Sequence, residues 1–488
     1  MQVGDITLRD YQVKAVERFR ELTGCLVAFD TRVGKTMTSL ALGQQLYDTG
    51  DVGPTLIVTD AVSPWTRDFD KIGLDSNRLF LVDRPRRAAF TKAIEQMPRA
   101  NCNFYQIHWA GLAPMAKELA SVKWLNIISD EAHKGKNRQA QRTKALKKLR
   151  TTYKAGLTAD PGDNAPDDIW SLLNWLYPKR YSSYWRFVEE YMEIEEHYGR
   201  SGKYRVCTGV KNVEKFQAEI AQFYISLTLE EVDPGQIPNK YEERLVDMSA
   251  AQRRVYEEMV ELQVANLGDD LLIAEFPMIA AMRLQQFAQA MGRMETHKEW
   301  RTRQKYDPAK KKKVPVKELV DVYTVRQIEP STKLDDLIQC LHEPKNYGVP
   351  TIIFTQFRDM VSLACERMDK AGLSYVKVVG SDNVEEAEKR FQDGEVDIII
   401  GTTPKISESI ELDRADLEIF LDVPPNPRVR SQAEGRPKAV GKRRQIRVID
   451  IKTRNSIDQG KLDKTLTKGQ WIDELLGRKI ENEYSSNY

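Results

Sequence analysis

The residues best suited to chemistry form two short motifs, of which the first is Gly34-Lys35-Thr36. It follows a short apolar run and precedes a helix-like stretch. Backbone N–H groups at the start of a helix, together with a lysine, can bind the phosphates of a nucleotide, and the threonine hydroxyl can bind Mg²⁺. The full GxxxxGK[ST] pattern is not met, because Phe29 stands at the first glycine position. The tripeptide also occurs in loops without a role, so its place between strand and helix is what indicates a phosphate site.

The second motif is Asp130-Glu131-Ala132-His133, which follows another apolar run about a hundred residues later. A carboxylate at a strand end can bind Mg²⁺, and the next carboxylate can orient or deprotonate an attacking water. Asp followed by Glu is also common at helix N-termini, so this tetrapeptide alone has a structural alternative. The two motifs together favour phosphoryl transfer to water.

Composition excludes several classes of protein. The chain has 488 residues, 41% of them hydrophobic and 30% charged, which indicates a folded protein of about three domains. Lys and Arg number 74 against 72 Asp and Glu, so only a local basic cluster could indicate a nucleic-acid partner. Five scattered cysteines without a CxxC pair argue against a zinc site or a disulfide framework. Without a signal-like N-terminus or a run of about 18 apolar residues, we expect a soluble intracellular protein with no membrane contact.

Short apolar runs that end on polar residues predict the elements that position these motifs. Continuous hydrophobicity is typical of strands buried on both faces of a parallel sheet, and helix-like stretches lie between the runs. Ligands bind at the carboxyl ends of such strands. The runs form two groups, one before about residue 160 and one after about residue 345, so the pattern predicts an α/β fold with two parallel-sheet lobes. The six runs are Cys25–Phe29, Thr55–Val58, Leu125–Ile128, Thr351–Phe354, Val396–Ile400 and Leu417–Leu421.

The motifs, in their order, resemble those of superfamily 2 helicases and, more narrowly, of Swi/Snf-type translocases on double-stranded DNA. Leu8–Gln12 resembles the adenine-reading Q motif, Asp30–Thr36 resembles motif I, and Asp130–His133 resembles motif II. In the second half Thr351–Phe357 resembles motif IV, and Gln432–Arg436 resembles motif VI, whose arginine reaches the γ-phosphate across a cleft. Each motif alone is unspecific, but this many in the family's order is specific.

The resemblance implies two RecA-like lobes with helical insertions between them, and ATP with Mg²⁺ in the cleft. It divides the chain into lobe 1 (1–162), a helical insertion (163–240), a helical segment (241–335) with a basic loop (301–317), lobe 2 (336–455) and a C-terminal helical extension (456–488). The expected catalytic residues are Glu131, which positions the water, with Asp130, Lys35 and Arg436. The expected ATP contacts are Gln12, which reads the base, and Arg32, Val33, Gly34, Lys35, Thr36, Gln432 and Arg436. Thr36 and Asp130 are the expected Mg²⁺ ligands.

Several positions depart from the family's pattern. Asp160 replaces the threonine of motif III. In the motif V region Ser407 and Ser409 stand where the family prefers glycine, and Glu411 stands where it prefers asparagine. Ala439 takes the place of the second arginine of motif VI, which leaves Arg436 as the expected arginine finger. Because an arginine finger contributes roughly 10³–10⁵ in rate in related NTPases, losing one of two could leave a slow enzyme.

Positive charge is concentrated between Arg301 and Lys317. A motor on nucleic acid needs contacts to phosphates more than to bases, and clustered Lys and Arg provide them. A solvated loop without a partner is the structural alternative. Trp65, at the motif Ia position, is a further candidate contact, although a tryptophan is more often part of the core. The candidate contacts in the basic segment are Arg301, Arg303, Lys310, Lys311, Lys312 and Lys313.

The leading hypothesis is an ATP-dependent DNA translocase or helicase that acts as a monomer, with duplex preference implied by the resemblance alone. One alternative is a nucleotide-gated DNA-binding switch, which Asp160 and Ala439 favour. A second alternative is a single-stranded DNA or RNA unwinding helicase. It is disfavoured because Trp170–Leu176 and Lys136-Asn137 resemble the Swi/Snf-type branch. A third alternative, a P-loop kinase, does not explain the ordered motifs of the second lobe. The absence of added reader or nuclease motifs fits a bacterial or phage-infected cytoplasm, with recombination or repair as the role. The sequence indicates no protein partner.

Overall fold

The computed structural model describes residues 2–459, apart from 4–5, 31, 49–52, 61, 72, 74–78, 84, 96–103, 160–165, 200–201, 263, 268–269, 274–276, 308–311, 408–409 and 425–426. The predicted C-terminal extension from residue 460 onward, Asp160, Ser409, Lys310 and Lys311 therefore lie outside the described residues. None of the helices within these ranges has the length and apolar character that crossing a membrane requires.

Lobe 1 is built on a parallel sheet of seven described strands, in the spatial order β11-β3-β8-β7-β4-β6-β5. The strands of this half are β1 (Gln2–Val3), β2 (Ile6–Thr7), β3 (Gly24–Phe29), β4 (Thr55–Val58), β5 (Leu79–Val82), β6 (Phe104–Ile107), β7 (Lys123–Ser129), β8 (Arg150–Leu157), β9 (Met192–Gly199), β10 (Gly202–Val210) and β11 (Tyr224–Leu227). The helices are α1 (Asp10–Glu21), α2 (Lys35–Asp48), α3 (Val62–Lys71), α4 (Arg87–Glu95), α5 (Ala116–Ala120), α6 (Gln141–Lys148), α7 (Ile169–Leu176), α8 (Tyr184–Tyr191), α9 (Val213–Ile220) and α10 (Leu229–Val232).

Lobe 2 is built on a parallel sheet of six described strands, in the order β12-β21-β20-β17-β19-β18. The strands of this half are β12 (Lys240–Val246), β13 (Val264–Leu267), β14 (Asp270–Ile273), β15 (Met291–Asp307), β16 (Lys312–Ile328), β17 (Thr351–Thr355), β18 (Tyr375–Val378), β19 (Ile398–Thr402), β20 (Leu417–Phe420) and β21 (Arg447–Thr453). The helices are α11 (Ala250–Leu262), α12 (Pro277–Gln289), α13 (Thr332–His342), α14 (Arg358–Lys370), α15 (Val384–Gln392), α16 (Thr403–Ile406) and α17 (Pro427–Glu434).

The predicted α/β fold with two parallel-sheet lobes is confirmed. Each of the six apolar runs forms a strand, namely β3, β4, β7, β17, β19 and β20. All six residues of β3 and all five of β17 are buried, as expected for strands covered by helices on both faces. Two hydrophobic clusters pack against each sheet, one on either face.

The sheets reach beyond the predicted lobe boundaries. β11 pairs in parallel with β3, so the sheet of lobe 1 takes a strand from the segment predicted as a helical insertion. β12 pairs in parallel with β21, so the sheet of lobe 2 begins at Lys240. Both are edge strands of mixed polarity, and four of the seven residues of β12 are charged. Their burial is only partial, which is why they lack the continuous apolar pattern of the central strands.

The prediction of a helical segment over 241–335 with a basic loop at 301–317 is wrong for Met291–Asp307 and Lys312–Ile328, which are strands. β15 and β16 form a two-stranded antiparallel ribbon in which Met291 pairs with Ile328 and Asp307 pairs with Lys312. Val314, Val316, Val320 and Val322 alternate with other residues along β16, a period of two that favours a strand over a helix. In the rest of that segment α11 and α12 are helices, whereas β12, β13 and β14 are strands.

Candidate functional site

The loop between β3 and α2 carries the first motif, and α1 supports it from one side. The Tyr11 hydroxyl donates to the Val33 carbonyl at 3.0 Å, and Gln12 Nε2 lies 3.5 Å from the Gly34 carbonyl. Gly34 has φ +88°, and a Cβ at this position would lie 2.7 Å from Gln12 Nε2. A glycine is therefore required here both by the backbone and by the close approach of Gln12. The residue predicted to read the base thus also supports the phosphate loop.

Lys35 is the first residue of α2, and its ammonium group lies over the end of β3. Nζ donates to the carbonyl of Phe29 at 2.7 Å and to that of Asp30 at 3.1 Å. Burial lowers the pKa of Lys35, and the carboxylates of Glu131, Asp30 and Asp130 partly oppose this shift. Additional negative charge near this loop would stabilise the charged form, which is the behaviour expected of a phosphate-binding lysine. Thr36 follows in the first turn of the same helix.

Asp130 follows β7, and the fold holds both of its carboxylate oxygens. Oδ2 accepts hydrogen bonds from Thr59 Oγ1 and Trp65 Nε1, both at 2.9 Å, while Oδ1 accepts from the Glu131 backbone N–H at 3.0 Å. Trp109 Nε1 donates to the Asp130 carbonyl at 2.9 Å. Burial and the neighbouring Glu131 raise the pKa of Asp130, and the Trp65 and Thr59 bonds lower it. These contacts fix the orientation of the carboxylate and favour its ionised form.

Sequence reasoning missed these tryptophans as functional residues. Trp65 was a candidate nucleic-acid contact, but its side chain is fully buried and bonded to Asp130. Trp109 is equally buried. No sequence signal marks either role, since an indole that orients a carboxylate has the same apolar surroundings as one that only fills a core.

Glu131 contacts both lobes. Its backbone has φ +47°, a left-handed conformation that costs a non-glycine residue about 1–3 kcal/mol and often marks functional sites. Oε2 lies 3.2 Å from His133 Nδ1, which is itself 3.3 Å from Thr158 Oγ1. Gln432 Nε2, at the end of α17, donates to Glu131 Oε1 at 3.4 Å. Motif VI thus reaches motif II across the cleft.

Arg436 lies on the lobe 2 side of the same cleft. Its Nη1 donates to the Ile410 carbonyl at 3.1 Å, and its Nε donates to the Gln432 carbonyl at 3.2 Å. The positive charge of Arg436 contributes to the lowered pKa of Lys35, after the larger effect of burial. The structure therefore brings together Gln12, Gly34, Lys35, Asp130, Glu131, Gln432 and Arg436.

Two of the positions that depart from the family's pattern, Glu411 and Ala439, form polar contacts in the structure. Glu411 forms an ion pair with Arg32 of the phosphate loop, with 2.8 Å between Oε1 and Nη1. The Ala439 carbonyl accepts a hydrogen bond from Gln236 Nε2 at 2.8 Å, and Gln236 belongs to the segment that links the lobes. That segment is fixed at both ends, because the Leu229 N–H donates to Asp30 Oδ2 at 3.0 Å and Arg443 Nη2 donates to Asp233 Oδ1 at 2.7 Å.

The described part of the basic segment lies on the β15–β16 ribbon. Arg301 is exposed, and Arg303, Lys312 and Lys313 lie further along the β15–β16 ribbon. Phe287, Met291 and Val325 pack at the base of the ribbon. Strands of this length extend about 50 Å, so the basic end projects far from the base. Sequence reasoning located the charge but not the ribbon that carries it.

The chain is similar in sequence to known proteins over most of its length. The family model described as the SNF2-related domain matches residues 11–305, and that of the helicase conserved C-terminal domain matches residues 332–439. The chain is 22% identical to the transcription regulatory protein SNF2 of Saccharomyces cerevisiae, over 95% of this chain and 27% of that protein. It is also 22% identical to the ISWI chromatin-remodeling complex ATPase ISW1 of the same yeast, over 96% of this chain and 40% of that protein.

A solved structure described as the Sulfolobus solfataricus SWI2/SNF2 ATPase core in complex with dsDNA is similar to the chain at 20% identity, with a TM-score of 0.42. The similarity covers 98% of this chain and 95% of that chain. The chain spans less than half the length of either yeast relative.

Proposed function

The chain belongs to the SNF2-related domain family, and from that premise we propose that it couples ATP hydrolysis to movement along duplex DNA. The observation that carries the proposal is the 3.4 Å contact between Gln432 of lobe 2 and Glu131 of lobe 1. It sets the motif VI helix against the carboxylate proposed to act on water, so that chemistry at Glu131 depends on how the lobes are arranged.

In the proposed reaction the phosphates of ATP lie on the loop before α2. The backbone near Gly34 and the Lys35 ammonium bind them, at the N-terminus of a helix whose dipole also favours anions. Glu131 positions a water for in-line attack on the γ-phosphorus and accepts a proton from it, the bond to the bridging oxygen breaks, and ADP leaves with the negative charge while the γ-phosphoryl group becomes inorganic phosphate. The carboxylate is oriented for this step by His133 and by Gln432.

The residues present fit a magnesium ion. Mg²⁺ in NTP sites is held by hydroxyl and carboxylate oxygens together with substrate phosphates, and Thr36 and Asp130 supply such oxygens. Burial raises the pKa of Asp130, and the hydrogen bonds from Trp65 and Thr59 act in the opposite direction, toward the ionised form that a metal ligand needs. The bound ion would neutralise phosphate charge as the transition state forms. We assign Thr36 and Asp130 as its ligands.

Coupling to movement follows from the contacts between lobes. Gln432 and Arg436 both lie on lobe 2, so they approach the nucleotide only when the cleft is closed. Each cycle of closing and opening would move the two lobes relative to a duplex that both of them bind. Phosphate contacts suffice for such movement, because no base has to be read. We assign the basic end of the β15–β16 ribbon as one of these contacts.

A second candidate, a nucleotide-gated DNA-binding switch with little turnover, is favoured by one observation. The Arg436 guanidinium is bonded to two carbonyls of its own lobe, and the expected second arginine position is Ala439. If Arg436 stays on these carbonyls in the closed cleft, the transition state lacks its arginine.

Steady-state ATPase measurements with no nucleic acid, duplex DNA, single-stranded DNA and RNA distinguish the two functions. We expect strong stimulation by duplex DNA, and we expect Glu131→Gln to bind ATP normally while its turnover falls by about 10² or more. Glu395→Gln, which removes a surface carboxylate paired with Arg390, is the matched control and should keep the parental rate. Parental turnover in Glu131→Gln would refute the role of Glu131, and ATP binding without turnover in the parent would favour the switch.

A further inference from the structure

An ion pair joins the two lobes directly at the phosphate loop. Arg32 precedes α2 in lobe 1, and Glu411 follows α16 in lobe 2. Their side chains meet with Arg32 Nη1 2.8 Å from Glu411 Oε1. The position of Arg32 in motif I implies contact with ATP, but in the structure its guanidinium contacts the other lobe.

The backbone conformation of Arg32 is one that a non-glycine residue rarely adopts, which points to a functional role for its side chain. Arg32 has φ +70°, in the left-handed region that favours glycine. An arginine retained in this conformation is strained, and such strain persists where the side chain is needed. Only 17% of the Arg32 side chain is exposed, against 43% for Glu411. The guanidinium therefore lies inside the cleft, while the carboxylate approaches it from the rim.

Two adjacent residues, Ile410 and Glu411, each contact the guanidinium group of an arginine. Arg436 donates to the Ile410 carbonyl at 3.1 Å, and Arg32 pairs with the next residue, Glu411. Lys35 lies within electrostatic range of Arg436. Of the cations Arg32, Lys35 and Arg436 on these segments, Arg32 is the one that pairs with a carboxylate of the opposite lobe.

We propose that Glu411 and the terminal phosphates of ATP compete for Arg32, an inference that rests on the proposed function. A planar guanidinium binds a carboxylate and a phosphate through the same fork of N–H donors, so one anion can replace the other. A triphosphate carries more negative charge near Arg32 than a carboxylate does. Bound ATP would therefore displace Glu411 from the Arg32 guanidinium. The exchange breaks a contact between the lobes as the nucleotide binds, which makes Arg32 a phosphate ligand and Glu411 its competitor.

The test is equilibrium binding of ATP, ADP and AMP, each with the same fluorescent label on the ribose. The variants are Glu411→Gln, Arg32→Gly and the double variant, and glycine suits the left-handed backbone at position 32. Glu411→Gln should bind ATP about fivefold more tightly, with a smaller gain for ADP and none for AMP. Arg32→Gly should bind ATP more weakly. In the double variant the gain from Glu411→Gln should vanish, because the proposed gain comes from releasing Arg32, which the double variant lacks.

Glu395→Gln removes a carboxylate from another Arg–Glu pair and should leave all three affinities at the parental values. The inference is overturned if Glu411→Gln changes ATP and AMP binding equally, weakens ATP binding, or adds independently to Arg32→Gly. A parent protein that binds no ATP would refute the proposed function itself. Parental ATP binding with additive variants would refute only the competition for Arg32.

Discussion

At the scale of single residues, the site depends on side chains that donate hydrogen bonds to Asp130 and so fix its orientation. Asp130 is the proposed carboxylate ligand of the metal. Hydrogen bonds from Trp65 and Thr59 orient its carboxylate, and one from Trp109 holds its backbone carbonyl. A hydrogen bond to a buried carboxylate contributes more than a neutral one, because it offsets desolvation of the ion. The indole of Trp65 should therefore matter for catalysis although it lies behind the site.

Replacing Trp65 by phenylalanine tests this role. The variant loses one N–H donor to Asp130 and keeps most of the aromatic volume. Without that bond the pKa of Asp130 should rise further, since burial already raises it, so the acidic limb of the ATPase pH profile should move to higher pH. A lost bond to a charged group costs about 1.5–3 kcal/mol, so kcat at low Mg²⁺ should fall roughly tenfold or more and be partly restored by added Mg²⁺.

Trp124→Phe is the matched control, because Trp124 is also fully buried in lobe 1 and its Nε1 donates to the Leu119 carbonyl at 3.0 Å. It should leave the Mg²⁺ dependence and the pH profile unchanged. Equal effects in both variants would mean that Trp65 acts only through packing.

At the scale of elements, prediction succeeded where burial was complete. The central strands β3, β7 and β17 are buried on both faces, and their unbroken apolar runs predict them from sequence. β12 is an edge strand with charged residues, and its sequence KYEERLV has no such run. Its pairing strand, β21, lies about two hundred residues later in the chain, and no local pattern encodes that pairing.

The β15–β16 ribbon is the clearest failure of local prediction. Its sequence mixes charged residues with valines, and the apolar residues at its base resemble the end of a helix. The alternating valines of β16 favour a strand, but no local pattern encodes the pairing with β15, which runs from Met291–Ile328 to Asp307–Lys312. The described basic residues Arg303, Lys312 and Lys313 thereby belong to the end of the ribbon opposite the Met291–Ile328 pair.

Neutralising the ribbon's basic end should weaken DNA binding without disturbing the lobes. With Lys310, Lys311, Lys312 and Lys313 changed to Gln, duplex affinity should fall, and the slope of log affinity against log salt should become shallower by up to about 4. Basal ATPase should stay at the parental value. Fluorescence anisotropy across a salt titration measures the first two quantities.

The matched control changes four exposed lysines elsewhere to Gln, namely Lys179, Lys211, Lys370 and Lys389. It removes the same net charge but leaves the ribbon intact. If both variants lose the same affinity and slope, the effect is one of overall charge, and the ribbon is not a specific contact.

At the scale of the whole molecule, the site exists only because two lobes meet. Lys35, Asp130 and Glu131 belong to lobe 1, whereas Gln432 and Arg436 belong to lobe 2. The motifs of each lobe could be recognised from sequence, since they lie at strand ends. The contacts between lobes, such as Arg32 with Glu411 and Gln432 with Glu131, could not, because they join residues more than three hundred positions apart.

The segment between the lobes makes their arrangement specific. Asp233 accepts bonds from Arg443 and from the Gly441 N–H, and Asp30, beside the phosphate loop, accepts from Leu229. The link therefore contacts the loop proposed for ATP at one end and the segment after motif VI at the other. This short, hydrogen-bonded stretch is the connection through which the proposed coupling between hydrolysis and lobe movement would act.

The most direct test of the central claim is displacement of a third strand from duplex DNA. A labelled oligonucleotide bound in the major groove reports movement of the protein along the duplex, whether or not the strands of the duplex separate. We predict that the protein displaces it with ATP and Mg²⁺, and that Glu131→Gln or a non-hydrolysable ATP analogue abolishes displacement. Duplex-stimulated hydrolysis without displacement, or displacement that does not require ATP, would contradict the account.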